Sequence, residues 1–285
     1  MSECIVVIPC FNEANRLDLR PFVEHAVRGD VALLFVNDGS SDGTGDVLDD
    51  LCAVSPANVA VLHLPHNCGK AEAVRRGVLQ AFEQSPAYIG YWDADLATPL
   101  DAIGEFREYL AANPRVEMLL GARVRLLGST IERRISRHCA GRVFATAASW
   151  VLQLPVYDTQ CGAKLFRATD RTRLLFAEPF RSRWIFDVEL LARFVLAATA
   201  AGQSPEELIH ELPLRQWRDV AGSKVRPSDF IRAAIQLVNI ACHYRLSSTH
   251  QSARACDTGK LPAPAPSPAP IESTESRASK LESVS

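Results

Sequence analysis

Two carboxylates one residue apart, Asp93 and Asp95, close the apolar run Tyr88-Ile89-Gly90-Tyr91-Trp92 and precede Thr98-Pro99-Leu100. The run is aromatic and branched enough for a buried strand, and a proline in the first turn suits the helix that follows. Both acids then stand at the carboxyl end of a strand, the edge at which open α/β sheets bind ligands. Oxygens so spaced can hold a hard divalent cation, directly or through water, and the cation can hold a diphosphate. Taken alone, so short a pair reads more readily as two solvated acids in a turn, so its surroundings must decide.

The chain before the pair supplies those surroundings. Cys4 to Pro9, Val31 to Val36 and Val59 to Leu64 are short continuous apolar runs of the kind that form buried parallel strands. Each stops at a polar loop: Cys10-Phe11-Asn12-Glu13, then Asn37-Asp38-Gly39-Ser40-Ser41-Asp42-Gly43-Thr44, then Asn67-Cys68-Gly69-Lys70. The third loop opens a helix in which Ala73, Val74, Gly77, Val78 and Ala81 recur at helical spacing. Strand, loop and helix repeated in this way predict an α/β layer, doubly wound and mostly parallel, flanked by helices. Topology alone would bring Glu13, Asp38, Lys70, Asp93 and Asp95 to one edge of that sheet. A charged set of five residues gathered from four distant loops is much harder to dismiss than one D-x-D pair.

Composition removes several function classes. At 285 residues and 47% hydrophobic content the chain can build one large α/β domain with a tail. A net charge of −2, with no dominant basic block, gives nucleic acid no footprint. The eight cysteines are scattered without a C-x-x-C pair, which argues against zinc or a thioredoxin motif and fits a reducing cytosol. No basic secretory leader is legible, and no apolar run reaches the roughly 20 residues of a membrane-spanning helix. Gly43-Thr44-Gly45-Asp46-Val47-Leu48 begins like a dinucleotide fingerprint, but it lacks the third glycine and follows the second strand, not the first. A nucleotidyltransferase would carry a glycine-rich basic loop after the first strand, where this chain has Cys10-Phe11-Asn12-Glu13.

Ile8-Pro9-Cys10-Phe11-Asn12-Glu13, Val36 to Thr44, Asn67-Cys68-Gly69-Lys70 and Asp93-Ala94-Asp95 together resemble, in order, the signatures of glycosyltransferase family 2 with its GT-A fold. The resemblance implies that Pro9, Phe11 and Glu13 flank the ribose and base, and that Asp38 reads the base edge. It also implies that Lys70 lies near the diphosphate and that Asp95, helped by Asp93, holds Mg2+ or Mn2+. Further on, Tyr157-Asp158-Thr159-Gln160-Cys161-Gly162-Ala163-Lys164-Leu165-Phe166 and Arg183-Trp184-Ile185-Phe186-Asp187-Val188-Glu189 resemble the branch that glycosylates dolichyl phosphate with glucose or mannose. That likeness makes Gln160 a substrate-binding candidate and implies that arginines after the fifth strand, Met118 to Gly121, hold a lipid phosphate. Arg123 and Arg137 are the candidates, within a basic stretch that includes Arg133, Arg134 and Arg142.

Several alternatives stay open at this stage. Val143 to Val156 carries no charge and suits either a core helix or one lying at a membrane interface. Asp187 is either a base or an acid set among core residues. Glu207 to Pro213 reads as a strand, Gln216 to Lys224 as a polar loop with Ser223 and Lys224 as weak diphosphate contacts, and Phe230 to Leu246 as a helix. The domain is expected to span 1–246, with a nucleotide-sugar half to about 125 and an acceptor half after it. The Pro/Ala/Ser-rich stretch 247–285 is expected to be a disordered tail. The function expected is inverting transfer of a hexose from a nucleotide sugar, UDP-glucose before GDP-mannose, to a polyprenyl phosphate. That acceptor would place the protein in the cytoplasm, peripheral to the membrane face. A hydroxyl on a small soluble or glycan acceptor, with Asp187 taking its proton, is the alternative within the class, and a nucleotide-sugar-binding protein without catalysis is the alternative outside it.

Overall fold

A computed structural model of the chain describes residues 3–132, 135–220 and 232–244, with the backbone alone over 135–140. The chain divides into the units Met1–Ser248 and Thr249–Ser285, and the tail expected over 247–285 lies outside the described residues.

A seven-stranded sheet runs through the larger unit. Its strands are β1 (Cys4–Cys10), β2 (Ala32–Asn37), β3 (Val59–His63), β4 (Tyr88–Trp92), β5 (Met118–Ala122), β7 (Ala163–Arg167) and β8 (Ile209–Pro213). Their order is β3-β2-β1-β4-β7-β5-β8, with β7 antiparallel to both neighbours and every other pair parallel. The apolar runs lack alternation because both faces are covered. Ile5 and Val7 of β1 enter one buried cluster, while Cys4, Val6, Ile8 and Cys10 enter the other. The first cluster is built with α3 (Lys70–Phe82), α5 (Ile135–Leu152), α6 (Asp170–Ala177) and α7 (Phe186–Ala200). The second is built with α1 (Leu19–Arg28), α2 (Thr44–Val54) and α4 (Ala102–Ala112).

The chain winds outward from β1 to β3, then returns through α3 to place β4 on the other side of β1. Strand order therefore reverses between β1 and β4, and the carboxyl ends of those strands border the crevice such a switch creates. The antiparallel β7 is the element that the apolar pattern did not disclose. Its first residue, Ala163, pairs with Trp92, the last residue of β4, so the turn before it arrives at the same sheet edge as Asp93.

The second half departs from expectation in two places. Gln216–Arg218 is a strand, β9, paired in parallel with β6 (Thr130–Glu132), where a polar loop was expected. The expected strand over 207–213 begins at Ile209, after the single helical turn α8 (Pro205–Leu208). The uncharged stretch after Val143 is largely α5, which buries Ala145, Ala148 and Leu152 and leaves Val143 and Trp150 exposed. Residues 232–244 are helical, as expected for that part of 230–246. Among the described residues no helix is long and apolar enough to cross a membrane.

Candidate active site

The end of β4 is held in a tight reversal. Leu96 takes a positive φ of 52°, Leu96 N–H donates to the Asp93 carbonyl at 3.2 Å, and Ala97 N–H donates to Asp95 Oδ1 at 3.0 Å. The Trp92 indole N–H donates to the Thr98 carbonyl at 3.1 Å and fixes the far side of the turn. Asp93 is left half-buried and Asp95 exposed. Crowding of the Asp95 carboxyl away from water, and then the Asp93 charge beside it, push that carboxyl above its ordinary range.

Lys70 Nζ approaches Asp93 Oδ1 at 2.5 Å. The ammonium holds that buried oxygen closely. Withdrawal from water pulls the Lys70 ammonium down, but the charges of Asp93, Asp187 and Asp95 together outweigh it and hold the group above its ordinary value. One cation thus sits among three acids.

Lys70 is presented by a loop that Asp38 organises. Asp38 Oδ1 accepts from Cys68 N–H at 2.7 Å, and Oδ2 accepts from Gly69 N–H at 2.8 Å and Asn67 Nδ2 at 2.9 Å. At 2% exposure this carboxylate is well buried, and its hydrogen bonds hold the 67–69 loop. Gly69 adopts a φ of 94°, which favours glycine, and the Arg183 guanidinium lies so close that a Cβ there would meet its Nε at 2.8 Å. Arg183 is exposed and donates a long hydrogen bond, 3.3 Å, to Asn67 Oδ1.

Asp187 enters from the first turn of α7. Its Oδ1 accepts from Lys164 Nζ at 2.6 Å and from the Tyr91 hydroxyl at 2.5 Å. Burial first, and the Asp187 charge second, push the Tyr91 phenol well above its ordinary range, so it remains a donor. Asp187 therefore joins the acid cluster, with Lys70 feeling its charge, but one oxygen is already bound on both sides.

The remaining expected residues fall into two groups. Pro9, Phe11 and Glu13 do follow or end β1 at the same edge as the acids; Phe11 is exposed, and Glu13 Oε2 lies 3.4 Å from Arg16 Nε. The Glu13 N–H donates to Thr44 Oγ1 at 2.9 Å, which laces the β1 loop to the start of α2. Gln160 precedes β7, and its Nε2 is buried without a hydrogen-bond partner among the described residues. Arg137, Ser223 and Lys224 lie outside the described residues, as do Arg133 and Arg134.

Arg123 is paired within the protein. Its fork closes on Asp158, Nε to Oδ2 at 2.6 Å and Nη2 to Oδ1 at 2.7 Å, and its guanidinium also lies over the Trp217 ring. Burial opposes the charge, yet Asp158 more than compensates and holds the guanidinium above its ordinary value. The pair with Asp158 gives Arg123 a structural role at the end of β5. Removing one member of a buried ion pair leaves the other without compensation, at a cost of about 3–5 kcal/mol. Arg123→Ala is expected to lose on the order of that much stability, read from its denaturant midpoint. An unchanged midpoint with a raised KM for a lipid phosphate would instead make Arg123 a phosphate contact.

A divalent cation fits what is present. Asp93 and Asp95 are hard oxygen donors, and the mutual repulsion of the two acids is what a cation would relieve. Among the described residues no group of three or more His, Cys, Asp and Glu could hold a metal by itself. The remaining ligands would have to be water or phosphate oxygens, as is usual for a cation that serves a diphosphate.

Three residues at this edge were not assigned roles on sequence grounds: Tyr91, Gly162 and Lys164. Gly162 is the most informative. Its carbonyl accepts from Asp93 N–H at 2.9 Å, and a Cβ on it would land inside the Asp93 carboxylate. A glycine preceding a strand that carries a lysine among apolar residues was the available signal, but only the β4–β7 pairing gives it meaning.

Comparison with known proteins bears on the family and the fold. The family model described as "Glycosyl transferase family 2" matches residues 5–172. A dolichyl-phosphate beta-glucosyltransferase of Trichomonas vaginalis is 30% identical over 84% of this chain and 71% of its own length. The enzyme of the same name from Saccharomyces cerevisiae is 30% identical over 85% of this chain and 75% of its own. Among solved structures, glucosyl-3-phosphoglycerate synthase from Mycobacterium tuberculosis, in complex with Mn2+, UDP and glucosyl-3-phosphoglycerate, superposes with a TM-score of 0.55 at 20% identity. That match covers 85% of this chain and 79% of the synthase, and it bears on the fold.

Proposed function

This chain belongs to glycosyl transferase family 2, and we propose that it moves glucose from UDP-glucose to a polyprenyl phosphate of the dolichyl type, with inversion at the anomeric carbon. The observation that carries the reading is the likeness to dolichyl-phosphate beta-glucosyltransferases over 84–85% of the chain, a span that includes the acid cluster. GDP-mannose is the next donor to consider.

The chemistry follows from the groups at the edge of the sheet. Asp95 and Asp93 would hold Mg2+ or Mn2+, which when bound offsets the negative charge of the departing nucleoside diphosphate. Lys70, among the acids, stands where it can share that charge. A phosphate monoester has its second pKa near about 6, so the acceptor oxygen is already ionised at neutral pH. That oxygen forms the new bond to the anomeric carbon as the bond from that carbon to the diphosphate breaks. No proton has to be removed. The hold of Lys164 and Tyr91 on Asp187 supports this acceptor over a hydroxyl, which would need a carboxylate ready to take its proton. A lipid acceptor must be met at a bilayer, and Val143 and Trp150 are the exposed apolar side chains that α5 would offer one.

The test is transfer itself. The protein is incubated with UDP-glucose, GDP-mannose or another nucleotide sugar, Mn2+ or Mg2+, and a polyprenyl phosphate in vesicles, with a soluble glycan in parallel, and products are read by mass spectrometry. Glucosyl polyprenyl phosphate from UDP-glucose, with protein floating on the vesicles, is the expected result. Product on the glycan alone would move the reading to a hydroxyl acceptor, and no product from any donor would sink it.

A further inference from the structure

Lys164 is a charged residue in the middle of a strand, with 0% exposure. Its ammonium has three hydrogen bonds, to Asp187 Oδ1 at 2.6 Å, Cys161 O at 2.7 Å and Thr159 O at 3.1 Å. A lysine ammonium has three donors. All are in use, so nothing is left with which to touch a substrate.

We propose that Lys164 is a positioning residue of the transfer reaction: its buried ammonium ties the Asp187 carboxylate to the turn from Thr159 to Gly162, and so fixes where Asp93 and Lys70 stand. The path is short at each step. Cys161, whose carbonyl Lys164 holds, precedes Gly162, whose carbonyl takes the Asp93 N–H at 2.9 Å and whose bare Cα makes room for the Asp93 carboxylate. On the other side, Lys164 shares Asp187 Oδ1 with Tyr91, two residues before Asp93 on β4. Asp93 in turn pairs Lys70 at 2.5 Å. One ammonium thus sets the turn, the strand end and the third acid together. A buried lysine is costly to keep and is retained only where its partners are fixed, which fits this use better than packing alone. Groups that orient metal-binding carboxylates typically change metal affinity or activity by about 10–100-fold when removed.

The proposal rests on the transferase reading, and the test separates the two. Wild type, Lys164→Met, Asp187→Asn and the double variant Lys164→Met/Asp187→Leu are compared for denaturation midpoint, Mn2+ affinity with UDP present by electron paramagnetic resonance, and kcat and KM for UDP-glucose. Lys164→Met strands Asp187 and is expected to lower the midpoint. The double variant removes both charges and recovers much of the loss, so it remains available if the single variant fails to fold. Asp187→Asn removes the charge of the third acid and leaves Lys164 near both carbonyls, so it gives the baseline for loss of that charge, and the double variant is expected to bind Mn2+ about 10–100-fold more weakly than Asp187→Asn. In Lys164→Met, or in the double variant if the single does not fold, kcat falls by a similar factor with little change in KM. Mn2+ affinity in the refolded double variant no weaker than in Asp187→Asn would overturn the role of Lys164 and leave it a packing element. A wild-type protein that neither binds Mn2+ nor transfers glucose would instead overturn the reading of the site.

Discussion

Gly162→Ala is expected to lower turnover by about 100-fold or more while the protein still folds. The added Cβ would occupy the place of the Asp93 carboxylate. Relief cannot come easily from the backbone, because Gly162 O and Asp93 N–H are hydrogen-bonded at 2.9 Å where β7 begins to pair with β4. The carboxylate must therefore swing away, breaking its 2.5 Å contact with Lys70 and its register with Asp95. A displacement of about 1 Å at a reacting centre can cost about 100-fold in rate. Stability should change little, since Gly162 is not among the glycines with positive φ and alanine can adopt its conformation. The check is a transfer assay beside a thermal melt. Wild-type turnover with an unchanged melt would mean that the seat of Asp93 does not matter, whereas a collapsed melt would make the turn a folding element.

The contrast between Gly162 and Asp93 shows what local pattern can and cannot convey. Asp93, Asp95, Glu13 and Lys70 were legible because each follows an apolar run, and successive parallel strands must bring their carboxyl ends to one edge. The parallel half of the sheet was legible for the same reason. β7 was not, because Ala163-Lys164-Leu165-Phe166-Arg167 carries two basic residues in five, and nothing local says that it runs backwards between β4 and β5. Once that direction is known, the buried lysine, the glycine before it and the Tyr91 hydroxyl become parts of the site.

Arg123 and Asp38 show a different limit. Each has the residue type and place in the chain that the resemblance assigns to a ligand contact. What the sequence does not show is whether a protein partner already occupies the group. Asp158 lies 35 residues after Arg123, and the 67–69 loop lies about 30 residues after Asp38, yet both partners arrive within hydrogen-bonding distance because neighbouring strands end side by side. A charged side chain at a ligand-binding edge thus has two possible fates, and the distinction depends on contacts distant in sequence. Asp95 escapes that fate: apart from the Ala97 N–H it binds no described donor at hydrogen-bond distance.

For that reason Asp95→Asn is the substitution expected to abolish transfer most cleanly. Asp95 is exposed, so exchanging it for an isosteric amide should change stability by no more than about 0.5 kcal/mol. Its hydrogen bond to Ala97 can survive in the amide, which keeps the turn after β4 intact. What disappears is a full negative charge next to Asp93, in a place where crowding and repulsion already disfavour two charges without a cation. If that pair holds Mg2+ or Mn2+ for the diphosphate, its loss removes several kcal/mol of charge stabilisation, and about 4 kcal/mol corresponds to roughly 1,000-fold in rate. Asp95→Asn should then show turnover at least about 1,000-fold down and UDP binding no longer strengthened by Mn2+ in calorimetry, with a normal melt. EDTA should do the same to the wild type, reversibly on adding Mn2+. Turnover that persists in EDTA, or in this variant, would leave Lys70 and neighbouring cations to carry the diphosphate and would remove the metal from the proposed mechanism.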